Sequence, residues 1–238
     1  EILELLIKQI RILETMTPLD FLDFRNYLFP ASGFQSFQFR KVEVMLGLRA
    51  SQRLSYNNQP YQEALMPDQQ EKLQVYEQGR SLFQLLEKWL ERTPFLQFEG
   101  FDFLTQYRKA VENMLANEAE GIRSSEYLSP EEKEQRLGML GSTDTYFQSI
   151  LDPVLHEKLR EEGVLRLSYD ATMAVLLIKL YRDEPILQRP FVLLNRLADI
   201  DELLITWRYR HAQMVLRMLG RKVGTGGSSG YDYLKKTA

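Results

Sequence analysis

The chain has 238 residues, 44% of them hydrophobic and 26% charged, with a formal net charge of −3 and no cysteine. That is enough apolar material for one large domain or two small ones, while a mildly acidic chain has no general electrostatic pull toward nucleic acid or an anionic membrane. The lack of thiols excludes disulfides, thiolate zinc sites and iron–sulfur clusters and fits a cytoplasmic protein; the longest apolar run, Met173 to Ile178, is far too short to span a bilayer.

The opening EILELLIKQI is already in helical period and the closing YLKKTA carries no stop signal, so both ends read as cut. Over 2–16, Ile2, Leu5, Leu6, Gln9, Ile12, Leu13 and Met16 fall on one helical stripe. Thr17-Pro18 restarts the chain as an N-cap and a first helical residue. The second helix, LDFLDFRNYL, ends at the breaker FPASG, and a third runs from about Phe34 to Leu48. Residues 49–68 hold Asn57-Asn58, Pro60 and Pro67 and read as a loop.

Residues 69–92 return to helix, with Leu73, Tyr76, Leu82, Leu85, Leu86, Trp89 and Leu90 as its core, and Thr93-Pro94 stops it. Another helix covers 101–120. The charge-rich stretch 121–165, with a Ser cap, Pro and acids in SPEEKEQ, predicts a helical hairpin projecting from the core. Residues 168–182, capped by Ser168, and 191–219 are helical again. No segment alternates convincingly at period two and no internal repeat is present, so the fold class is all-α, a helical bundle.

In the last helix Leu197, Ile200, Leu204, Trp207, His211, Met214, Val215 and Met218 step by three and four and share one apolar stripe. A histidine there either satisfies its two ring nitrogens within the core or binds something. No second His or carboxylate sits at ligand spacing on the stripe, which disfavours a multi-ligand zinc site; a haem needs a single proximal His and stays open. Phe21, Arg25 and Leu28 share a face of the second helix, where the arginine is either at a snorkelling edge or paired with a buried anion. Ser32-Gly33 is placed to cap the third helix and offer backbone N–H groups to an anion. Phe34, Phe37 and Phe39 read as packing, and Arg40 as the partner of an acid of its own chain or of a cofactor. His156, among the charges of DPVLHEKLREEG, reads as a surface residue, and the acids near 131–134 and 161–162 as solvated faces.

The stretch GTGGSSGYDY at 224–233 reads as a flexible linker, an expression scar or a glycine-rich loop that cradles an anion. It lacks the lysine of a phosphate loop, and its GxGxxG spacing finds no third glycine after Gly224 and Gly226.

Taken together, LDFLDFRNYLFPASGFQSFQFR and WRYRHAQMVLRMLGRKVGTGGSSGYDYL, with LLEKWLERTP and RLSYDATMAVLLIKLYRDEP between them, resemble the tryptophan 2,3-dioxygenase family. The resemblance covers most of the chain and is weakest across 50–70 and 115–160. It implies one helical domain over 1–238 with 121–165 as an inserted hairpin. It further implies a homotetrameric, haem b-dependent enzyme that inserts both atoms of dioxygen across the pyrrole double bond of L-tryptophan's indole. The product would be N-formylkynurenine, the first step of tryptophan catabolism by the kynurenine route.

Position by position, the resemblance makes His211 the proximal ligand of the haem iron. Arg25 becomes the partner of the substrate carboxylate, Phe21 and Leu28 the walls of the indole pocket, and Thr225 the contact to the substrate ammonium. Ser32 and Gly33 become the turn over the distal haem face and Arg40 a propionate partner, with Trp207 packing on the proximal side. The family's distal histidine, in a segment like HQAYELWF, has no counterpart, so no catalytic residue is assigned. N-terminal segments of neighbouring subunits are expected to complete the pocket. The alternatives are a related haem enzyme acting on another aromatic substrate and a non-catalytic helical haem- or ligand-binding protein.

Overall fold

The computed structural model describes residues 1–27, 37–48, 55–56, 59–60, 66–93, 96–98, 100–220 and 231. Helices dominate: α1 (Ile2–Leu13), α2 (Pro18–Tyr27), α3 (Phe37–Leu46), α4 (Pro67–Gln78), α5 (Leu82–Leu90), α6 (Phe103–Ser124), α7 (Pro130–Leu151), α8 (Pro153–Glu161), α9 (Tyr169–Leu180) and α10 (Pro185–Leu219). The expected all-α class stands. Two minimal antiparallel hairpins accompany the helices, β1 (Ser55–Tyr56) with β2 (Gln59–Pro60) and β3 (Gln97–Phe98) with β4 (Phe101–Asp102). Gly100, at φ 86°, makes the second turn in a conformation that side-chain-bearing residues rarely adopt. Among the described residues no helix is long and apolar enough to cross a membrane.

The chain divides into two compact units, 1–83 with 189–238, and 84–188. In the first unit, Ile10 of α1, Phe21 of α2 and Met214 and Met218 of α10 form a buried cluster flanked by Leu13, Trp207, Val215 and Leu219. A smaller cluster joins Val44 of α3 to Leu73 of α4, with Phe37 against it. In the second unit α6 meets α7, α7 meets α8 and α8 meets α9.

Caps set where the helices begin. Thr17 donates its hydroxyl to Asp20 at 2.6 Å and accepts the Asp20 N–H at 3.2 Å, so Thr17-Pro18 opens α2 as expected. Ser129 accepts the Glu132 N–H and donates its own to the Glu132 carboxylate, a reciprocal pair that holds the Glu132 carboxyl below its usual range. Asp102 caps α6 through the Thr105 amide and hydroxyl, with the same direction of shift.

Three expectations need correcting. The stripe read for α1 is mostly exposed: Ile2, Leu5, Leu6 and Ile12 lie outside, only Leu13 packs beside the buried cluster, and the buried positions are Ile7 and Ile10. With Ile or Leu at most positions around the helix, periodicity does not determine its phase. The helix expected over 69–92 is two, α4 and α5, because Gly79 leaves helical geometry with φ −73° and ψ 158°; Leu73 and Leu90 are buried, but Tyr76, Leu82 and Leu85 are exposed. The last helix starts at Pro185, not 191. Pro190 forfeits one backbone hydrogen bond without ending the helix, and Pro185 suits the first position.

Candidate functional site

The site builds on the C-terminal half of α10. Trp207 and His211 are one turn apart, and their rings lie 5.2 Å from each other at 35°. Met214, Val215 and Met218 continue the same stripe into the cluster that also takes Phe21 and Ile10. The predicted spacing therefore describes a real inward stripe from Leu204 onward, while Ile200 is exposed.

His211 is half-buried, and loss of hydration pushes its pKa below 6.5, favouring the neutral ring. Among the described residues neither ring nitrogen has a hydrogen-bond partner. An imidazole whose neutral form is favoured by burial, with no hydrogen bond to its ring nitrogens among the described residues, is chemically suited to ligate a metal. Among the described residues no cluster of three or more His, Cys, Asp or Glu gathers; a single imidazole donor such as His211 fits a group that asks the protein for one axial ligand, as haem does.

Phe21 is buried where α2 meets α10. Arg25 lies one turn further along α2. Leu28, Ser32, Gly33 and Thr225 are outside the described residues, as are Phe34 and the rest of the glycine stretch apart from Tyr231.

Arg40 is buried and donates from Nη1 to Glu43 Oε2 at 2.5 Å. The other Glu43 oxygen accepts from Arg208 Nη2, joining α3 to α10 across 165 residues of sequence. Sequence reasoning missed Glu43 and Arg208. The i, i+3 spacing of Arg40 and Glu43 was visible; the link to Arg208 left no local trace.

His156 does not lie at the surface. It is fully buried, with Nδ1 3.2 Å from the Ile150 carbonyl oxygen and Nε2 3.1 Å from that of Leu167. Asp152 sets the phase of α8 by accepting the Val154 and Leu155 N–H groups at 2.9 Å, which leaves those two residues exposed and turns His156 inward. The unit 84–188 also carries an open groove of about 440 Å³ between α6 and α7, lined in part by Leu115, Leu137 and Leu140, which contains none of the predicted site residues.

A family model described as tryptophan 2,3-dioxygenase matches residues 1–238. A tryptophan 2,3-dioxygenase of Bdellovibrio bacteriovorus is 52% identical over 234 residues, covering 98% of this chain and 65% of that protein. That of Dictyostelium discoideum is 46% identical over 237 residues, covering 100% and 59% respectively. That of Alteromonas mediterranea is 47% identical over 237 residues, covering 100% and 66%. The chain thus spans between 59% and 66% of the length of these relatives.

Proposed function

The chain belongs to the tryptophan 2,3-dioxygenase family, and we propose that the protein containing it is a haem-dependent dioxygenase that opens the indole pyrrole ring of L-tryptophan to give N-formylkynurenine. The observation that carries the proposal is the placement of His211: half-buried on the apolar stripe of α10 beside Trp207, with burial favouring its neutral form and no hydrogen-bond partner among the described residues. Haem b, when bound, would supply the redox chemistry with dioxygen that these side chains do not provide.

The chain's own residues would bind and orient. His211 would hold the haem iron through one ring nitrogen, with Trp207 packed beside the imidazole. Ser32 and Gly33 would form the turn over the opposite haem face. Arg40, whose Nη1 donates to Glu43, would also reach a propionate.

The substrate needs its carboxylate held, its ammonium contacted and its indole enclosed. Arg25 supplies a planar fork for the carboxylate, Thr225 a hydroxyl that accepts from the ammonium, and Phe21 and Leu28 apolar walls. The packing of Phe21 against Met214 and Met218 supports this reading, because it sets the helix that carries Arg25 against the helix that carries His211. Much of the rate enhancement would then come from positioning. The proposal treats 1–238 as one functional domain of a cytoplasmic homotetramer in which neighbouring N-terminal segments complete the pocket.

The test is the full-length protein, reduced, loaded with haem and given L-tryptophan under oxygen. N-formylkynurenine is expected. A haem-loaded, reduced protein that leaves tryptophan intact would refute the activity. Arg25→Ala is expected to weaken tryptophan binding about 10- to 100-fold, the range for losing charged hydrogen bonds; unchanged affinity would remove Arg25 from the carboxylate role.

A further inference from the structure

A histidine that ligates a metal is normally aimed by a hydrogen bond from its second ring nitrogen. His211 has none among the described residues, and its recorded ring contact is Trp207. Among the described residues, what aims the imidazole is the Trp207 ring beside it and the placement of α10.

Three residues before His211, α10 is fastened. Arg208 donates to one oxygen of Glu43, and Arg40 donates to the other at 2.5 Å. Arg40 and Glu43 are buried, and the Arg208 side chain is 11% exposed. Glu43 in turn sits on a braced helix. Val44 packs on Leu73, and the Lys41 ammonium lies over the rings of Phe37 and Tyr76 at 5.3 and 5.4 Å. The Glu43 carbonyl closes the end of α3 by accepting from Gly47 and Leu48, both at 3.0 Å. A Cβ on Gly47, at φ 77°, would stand 2.6 Å from Ser81 Oγ and 2.9 Å from Phe83 Cβ, so this end of α3 packs closely against 81–83.

We propose that Glu43 is a positioning residue for His211: its carboxylate, seated between Arg40 and Arg208, fixes the turn of α10 that presents Trp207 and His211. The functional consequence rests on the haem-ligand reading of His211. Buried ion pairs add little net stability, but two charge-assisted hydrogen bonds from opposite sides fix geometry closely. An uncharged amide in place of the carboxylate would remove the negative charge that both guanidinium groups contact.

A double-mutant cycle on the full-length, haem-loaded protein tests this. Haem transfer to apomyoglobin gives the dissociation rate of wild type and of Glu43→Gln. The same comparison is repeated on His211→Gly with free imidazole supplied as the axial ligand, which no helix tethers. Glu43→Gln is expected to speed haem loss about 10-fold when the ligand is His211, the low end for residues that orient metal ligands. With free imidazole the effect is expected to be less than about 2-fold, because the coupling has been cut. Equal acceleration in both backgrounds would mean that Glu43 acts by general packing or through Arg40, and would overturn the proposal, as would no acceleration in either.

A second measurement needs no haem. In the ligand-free protein, amide hydrogen exchange at 207–212 is expected to quicken in Glu43→Gln while 169–180 stays unchanged; uniform quickening or none overturns the proposal. If Glu43→Gln does not fold, Arg208→Lys, which keeps the cation and loses the planar fork, takes its place with the same outcomes. Should the wild type take up no haem, the haem-ligand reading fails, and hydrogen exchange still decides whether Glu43 fixes the turn.

Discussion

The two histidines of this chain occupy opposite circumstances. His156, on α8, is enclosed, with both ring nitrogens against backbone carbonyl oxygens and its ring edge-on to Tyr169 at 5.6 Å. His211, on α10, is half-buried beside an indole, and its nitrogens meet no acceptor or donor among the described residues. The first spends its polar atoms on the fold, tying the last turn of α7 to the segment that leads into α9. The second is partly dehydrated, and among the described residues no side chain or carbonyl hydrogen-bonds to it. That asymmetry marks the His156 ring as structural and agrees with the proposed ligand role of His211.

The largest expected effect breaks the comparison if it fails. His156→Ala leaves a cavity and removes the ring's polar contacts with the Ile150 and Leu167 carbonyls, to one of which it donates in either neutral tautomer, and should cost about 3 kcal/mol of stability by chemical denaturation. His211→Ala should cost less than about 1 kcal/mol, since no hydrogen bond is lost, yet should abolish haem retention. Equal destabilisation by the two variants, or full haem occupancy without His211, would erase the distinction between them.

Which histidine was legible in the sequence follows from how each is held. His211 belongs to a 35-residue helix whose three-and-four spacing places Leu204, Trp207, Met214 and Met218 on its own side. Phe21 could likewise be placed, and the resemblance gave both residues roles. His156 sits in a 9-residue helix where the neighbouring apolar residues Val154 and Leu155 face out. There the Asp152 cap and the turn out of α7 decide the inward face, and neither leaves a periodic signal. The phase of α1 failed for a related reason, since apolar side chains surround it. The Glu43–Arg208 pair was invisible because two charges 165 residues apart give no hint of contact. The roles read for Leu28, Ser32, Gly33 and Thr225 rest on resemblance alone.

A smaller effect sharpens the structural half. Ser168 follows the Leu167 carbonyl that faces His156. Its hydroxyl caps α9 through the Ala171 N–H at 3.4 Å and donates to Glu91 at 2.7 Å, while its own N–H donates to Glu87 at 2.8 Å. Ser168→Ala should cost about 1 kcal/mol, as lost N-caps do. If the cap also steadies the acceptor of His156, this loss and that of His156→Ala will be less than additive in the double variant. Strict additivity would show that the two act separately.

The smallest effect concerns the other ring and comes from its titration in the ligand-free protein. Burial lowers the His211 pKa in the folded state below the 6.5 of an unperturbed ring. Between the folded value and 6.5 the unfolded chain binds more protons at this position, so stability rises with pH across that window. Above 6.5 the ring is neutral in both states and contributes no slope; below the folded value it is charged in both, and the penalty stays constant. Other groups titrate over the same range, so the quantity to measure is the difference between wild type and His211→Ala as a function of pH. That difference should climb toward pH 6.5 and then level. A flat difference would mean that the ring is as well hydrated folded as unfolded, and the contrast with His156 would then rest on hydrogen bonding alone.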